Sequence, residues 1–267
     1  MAKYLILSLI ALGFICGQTH AQFVYYIPQV VDGTDPHNEE RIFATTFSFL
    51  NLSTTSIADV VIDLSDDKGG HFPVLRRLNP GLPGGIGTFR ERFSLPPNGF
   101  IALKTLAGAR HISNTGWARI ESTGDIGILA TVTYRVSVNA EVVTSASVIP
   151  EPLTQKFSTF TFNDCREGGT GPKTSTGIAL LNPSETESVE VKVRLFNPDG
   201  TFRDERTIVL APRHKIAQFF DEEELFTGLG SFCGSAKISS NLPIAATVIR
   251  VDDIYWSTFR TFPPVSE

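Results

Sequence analysis

The chain writes one pattern twice. Residues 48–70 read SFLNLSTTSIADVVIDLSDDKGG and residues 179–200 read ALLNPSETESVEVKVRLFNPDG, and both run from an asparagine (Asn51, Asn182) through a polar stretch into an alternating ladder and a glycine turn. In the ladders Val60, Ile62 and Leu64 answer Val191, Val193 and Leu195, with charges dominating the other face. Period two with β-branched residues predicts a half-buried strand. The match extends both ways. Phe47 and Phe49 align with Ile178 and Leu180; RFSLPPNGFIAL (92–103) answers TIVLAPRHKIAQF (207–219), and GWARIESTGDIGILATVTYR (116–135) answers GSAKISSNLPIAATVIR (234–250). The openings pair as FVYYIPQVVDG (23–33) with FSTFTFNDCREG (157–168). Order kept across so many segments is a tandem duplication.

Each copy carries about seven or eight short strands punctuated by Gly, Pro, Asn and Asp, without a long helical period. The expectation is therefore an all-β chain of two tandem β-sandwiches, immunoglobulin-like in general shape, with one larger sandwich or barrel as the alternative. Pro150 and Pro152 interrupt the strand pattern in VIPEPLTQ (148–155), which places the modules at 22–150 and 151–267. The first copy alone has LRRLNPGLPGGIG (75–87), expected as a surface loop, and with no helix after it the glycine run makes no phosphate cradle.

Residues 1–21 have one lysine, an apolar run from Leu5 to Cys16 and a small-x-small pattern ending at Ala21, which predicts a secretory signal peptide cleaved there. Gly13, Phe14 and Ile15 before Cys16 do not suit a lipid-attachment site. The run is shorter than the roughly 20 residues of a membrane span. The expected location is outside the cytoplasm, periplasmic or extracellular. The formal charge is −5, and losing Lys3 with the signal makes it −6. Neither half is basic, which argues against nucleic acid or an anionic membrane surface as partner.

The extended opening to Pro28, the L-N-P-S turn at 181–184, the D-G hairpin at 199–200, the L-x-P strands at Leu95 and Leu210 and the G-W-A strand at 116–118 together resemble an uncharacterised family of exported bacterial modules that occur in tandem. The resemblance implies a fold and no activity.

Candidate sites are sparse. Asn182-Pro183-Ser184 and Asn197-Pro198-Asp199-Gly200 read as turns, with Asn51 and Gly69-Gly70 in their places in the first copy. Asp66, Asp67 and Asp199 lack calcium-loop spacing and read as turn aspartates. The acidic run 221–224 predicts one helical turn, with Leu225 and Phe226 plugging the end of the sandwich. His37, His71, His111 and His214 have no zinc spacing and sit beside no nucleophile motif, so neither an enzyme nor a cofactor is expected. Tyr25, Tyr26, Trp117, Tyr134, Tyr255 and Trp256 are candidates for stacking sugars, against a role in core or inter-module packing. Trp117 and Trp256 are the residues to test, because Trp117 aligns with Ser235 and is no shared core requirement. Cys165 and Cys233 remain after signal removal, in a compartment that permits oxidation, and are expected to pair; Val31 and Thr115 stand at about the matching places of the first copy. The function expected is a non-enzymatic structural or interaction module at or outside the cell envelope, with an unknown protein or glycan partner; the alternative is a carbohydrate-binding protein.

Overall fold

The computed structural model describes residues 23–35, 38–72, 75–77, 89–105, 114–135, 142–166, 173–222, 225–252, 258–262 and 265–266. The signal segment lies outside them. In the first half the strands are β1 (Phe23–Asp35), β2 (Asn38–Asn51), β3 (Ala58–Asp66), β4 (Leu75–Arg77), β5 (Arg90–Leu95), β6 (Phe100–Thr105), β7 (Asn114–Ser122), β8 (Ile126–Arg135) and β9 (Val142–Val148). In the second half they are β10 (Thr154–Asn163), β11 (Cys165–Arg166), β12 (Lys173–Leu181), β13 (Val189–Phe196), β14 (Phe202–Leu210), β15 (Lys215–Phe219), β16 (Phe232–Asp252), β17 (Thr258–Phe262) and β18 (Val265–Ser266). The chain is all-β, and among the described residues every ladder stays within one half.

Each half folds as two sheets over its own core. The first sheet orders β5-β3-β7-β1 in one module and β14-β13-β16-β10-β18 in the other. The second sheet runs β4-β6-β2-β8-β9, answered by β15-β12-β16-β17. β16 serves both sheets: its residues 233–240 pair with β10 and β13, and 245–252 with β12. In the first module β7 and β8 divide the same path. The ladders bury as their alternation predicts, with Val60, Ile62 and Leu64 in one core and Val191, Val193 and Leu195 in the other. Phe220, Leu225 and Phe226 close the second core.

The repeated asparagine is the brace that both modules share. Asn51 Nδ2 donates to the carbonyls of Ser56, Leu95 and Pro96 at 2.8, 3.0 and 3.1 Å, and its Oδ1 accepts from Ser53 N–H at 2.9 Å. Asn182 Nδ2 donates to Glu187, Leu210 and Ala211 at 2.7, 3.0 and 3.0 Å, and its Oδ1 accepts from Ser184 N–H at 3.0 Å. Both asparagines are buried. A buried amide that satisfies four backbone groups locks the end of one strand to the turn after another. The repeated asparagine thus makes the same set of bonds in both halves.

Three expectations change. The opening match shifts by two residues: Tyr25 pairs with Ile120 and Phe157 with Ile238, so Tyr25, rather than Phe23, corresponds to Phe157. A bulge between Ile27 and Val30 then absorbs one residue in β1, which composition alone does not reveal. Thr115 does match Cys233, but the place of Cys165 falls at Gly33 and Thr34, past Val31. The acidic run forms no helix in its described part. Glu222 N–H bonds the Phe219 carbonyl and Leu225 N–H the Glu222 carbonyl, isolated turns that end as soon as the apolar plug turns inward. Finally, the stretch read as a loop from residue 75 begins with the edge strand β4 on β6; residues 78–88 lie outside the described residues.

Candidate functional site

Trp117 sits on β7 and, by strict alternation, faces away from the first core, into which Ala118 and Ile120 both point from the other face of the strand. It is nonetheless only 2% exposed. The second module covers it: Trp117 clusters with Leu181 and Ala245, with Tyr26 packed alongside at 6.5 Å between rings. Arg213 lies over the indole at 5.7 Å and its guanidinium donates to Ser65 Oγ at 3.3 Å. An indole enclosed in this way cannot present a face to a sugar. Trp117 is an inter-module packing residue, which corrects its reading as a ligand-contact aromatic.

Beside the indole, Lys215 crosses the joint. Its backbone N–H donates to the Asp67 carbonyl at 2.9 Å; its fully buried ammonium donates to Gln29 Oε1 at 3.0 Å and lies 3.2 Å from Asp67 Oδ1. Burial pushes the Lys215 ammonium down to about 8, with the Asp67 carboxylate opposing that shift. Thr115 hydroxyl also donates to Asp67. With its ammonium fully buried against Gln29 and Asp67, Lys215 reads as the polar half of a joint whose apolar half is Trp117.

The turn aspartates behave as turn residues. Asp66 Oδ1 accepts from the N–H groups of Lys68 and Gly70. The Thr201 hydroxyl and N–H donate to Asp199 and hold its carboxyl below the usual range. No three His, Cys, Asp or Glu side chains among the described residues group to hold a metal. His71 stacks on Phe89 at 3.8 Å, and the His214 carbonyl accepts from Asn182 N–H. His37, His111, Tyr255 and Trp256 lie outside the described residues. Tyr134 is buried against Phe43. Cys165 and Cys233 form a disulfide with Cα atoms 5.4 Å apart. The bond ties β11 to the outward side of β16, where the first module has Thr115.

An outward face of the second module is open. On the first sheet of the second module, Phe160 and Phe196 pair with Ser235 from either side, and Phe196 pairs in turn with Phe202. This row points away from the core. Phe160 is 69% exposed and Phe202 53%. Arg194 lies over the rings of both Phe196 and Phe202, at 5.7 and 5.4 Å, while its Nε donates to Glu205 at 3.0 Å. At the β10 side a hollow of about 290 Å³ is lined by Thr159, Phe160, Phe162, Thr176 and Arg250. The alternation that sends Lys192 and Arg194 outward also sends Phe196 outward, so part of the row was legible; Phe160 and Phe202 were not singled out, because phenylalanine is buried more often than not.

No family model matches the chain, and no curated protein does. Among solved structures, it is similar to one described as the crystal structure of Thermotoga maritima 1070, with 14% sequence identity and a TM-score of 0.34 over 44% of this chain and 97% of that one. Among the described residues no helix is long and apolar enough to cross a membrane.

Proposed function

We propose that the chain is an exported, non-enzymatic structural or interaction module at or outside the cell envelope, and that it engages its partner through the outward row Phe160, Phe196 and Phe202. The observation that carries this reading is the exposure of Phe160 and Phe202 on one outward row, with Arg194 lying over the rings of Phe196 and Phe202. Exposed aromatics beside arginine are the composition of interaction surfaces, where rigid rings and a planar cation contribute most of the binding energy. The disulfide and the signal-like residues 1–21 support export. The resemblance to exported tandem modules belongs to the same reading.

The test uses the full chain in its own cell. N-terminal sequencing of the mature protein should begin at Gln22, in the periplasm or medium; an intact Met1 in the cytoplasm overturns export. A photo-crosslinking residue at position 160 or 202 should capture a macromolecule in the envelope or medium, and positions on the opposite sheet should not.

A second reading, carbohydrate binding, is favoured by the hollow at Phe160 and Phe162, which joins ring faces, threonine hydroxyls and the Arg250 guanidinium. Glycan-array binding lost on Phe160→Ala would support it, and an array without signal removes it.

A further inference from the structure

The two modules meet head to tail, and a duplicated chain carries both halves of that contact twice. In the joint, the donor is an end of the second module, made of Leu181, Ala245, Arg213 and Lys215; the acceptor is the outer face of the first, made of Tyr26, Gln29, Ser65, Asp67 and Trp117. The ladders identify the counterparts of each. Leu181 pairs with Ala245 and Lys215, as Leu50 pairs with Gly127 and Phe100. Arg213 N–H bonds the Ser184 carbonyl with φ at 62°, as Asn98 N–H bonds the Ser53 carbonyl with φ at 55°. The first module therefore keeps an unused donor end: Leu50, Asn98, Phe100 and Gly127. On the acceptor side Ser65 pairs with Trp117 as Phe196 pairs with Ser235. The unused acceptor is the row around Ser235.

We propose that copies of this chain join head to tail, the free end of one copy's first module seating on the Phe160–Phe196–Phe202 face of another copy's second module in the manner of the internal joint. This inference rests on the reading of that face as an interaction surface and names its partner.

The substitutions between used and unused surfaces change in step on both sides. Inside the chain the acceptor's Trp117 meets the donor's Ala245, and beside them Lys215 meets Gln29 and Asp67. At the unused pair both central residues are smaller, Ser235 and Gly127, and the bulk moves to the side, where Phe100 takes the place of Lys215 and Phe160 that of Gln29. The buried ammonium that matches Asp67 has become a ring that matches rings. Both unused surfaces are apolar and open: Phe100 is 61% exposed, Leu50 42% and Leu52 51%, against 69% and 53% for Phe160 and Phe202. Complementary surfaces at different places on one molecule form a heterologous contact, which leaves one of each kind free at the ends and propagates into open chains or closed rings.

Sedimentation of the mature chain over a concentration series tests this. The expected result is a concentration-dependent ladder of species beyond the dimer, with Phe100→Asp and Phe160→Asp each weakening assembly at least about tenfold. Both sites are on the surface, and unchanged thermal unfolding confirms that the variants fold. Mixing the two variants is decisive: the first keeps a sound acceptor and the second a sound donor, so together they should form one-to-one dimers and nothing larger. A Phe100→Asp variant that still dimerises alone indicates a symmetric contact and overturns the proposal, as does a chain that stays monomeric up to about 1 mM, where only marginal contacts dissociate. A monomeric chain whose position 160 still crosslinks to another macromolecule would sink this inference and leave the interaction reading standing; a monomer without crosslinks sinks both.

Discussion

Asn51 and Asn182 show how much one side chain decides. Each occupies a buried site where its amide meets three carbonyls and one N–H. Asn182→Ala should cost about 3 kcal/mol by stranding those groups, and Asn51→Ala a similar amount in the first module. Chemical denaturation checks this, and a loss below about 1 kcal/mol would mean that the turn reorganises to satisfy itself. Asp at either position should fare no better, since a carboxylate facing three carbonyls repels them. Lys215 makes the opposite case, a residue whose charge is uncomfortable where it sits. Its ammonium titrates near 10.5 when free and near 8 in the fold, so between those values the unfolded chain holds more protons than the folded one. Stability from this group therefore rises as pH climbs from about 8 to 10.5, and below 8 the cost of the buried charge is constant. The stability of the natural chain relative to Lys215→Met should climb across that window by up to roughly 3 kcal/mol. A difference that stays flat with pH would show that the ammonium reaches water.

At the scale of elements, the two hairpins after β3 and β13 use the same turn for different ends. Gly200 has φ at 82° and a side chain there would meet nothing within 4 Å; Gly69 has φ at 78°, and a side chain would meet Arg213 Cβ at 2.9 Å. The left-handed backbone costs an alanine about 1 kcal/mol in either place. Gly69→Ala should lose more than Gly200→Ala, because it also pushes the β14–β15 turn of the second module off the joint, and only Gly69→Ala should shift Trp117 emission to the red. Equal losses would show that the modules yield freely at this point. Gly116 and Gly234 are matched in another way: a side chain at either would strike the carbonyl of Ser65 or Phe196 at 2.2 Å, so the close approach of β7 to its neighbour β3, and of β16 to β13, requires glycine in both modules.

For the whole molecule, the question is whether two complete sandwiches behave as one body. The connector exposes Ile149 at 57% and Leu153 at 41%, so a protease should cut it first. The nicked halves should stay together through the joint, and Trp117→Ala, which removes about 3–5 kcal/mol of packing, should let them elute apart. Halves of the natural chain that separate on nicking would show that the connector alone holds them. Much of this architecture was legible in the residues. Alternation named the strands and their buried faces, because side-chain direction in a strand repeats every two residues regardless of what it packs against, and the asparagine and glycine turns were readable because their bonds are local. The two cysteines had one another as partners. What lay beyond reach were relations between segments distant in the chain: the bulge that offsets β1 from β10, the burial of Trp117, the contact of Lys215 with Gln29 and Asp67, and the meeting of Phe160 with Phe196 across Ser235. A sequence determines which face of each strand turns outward, but whether an outward face meets water or another module depends on how two finished surfaces fit, and that is settled only when both have folded.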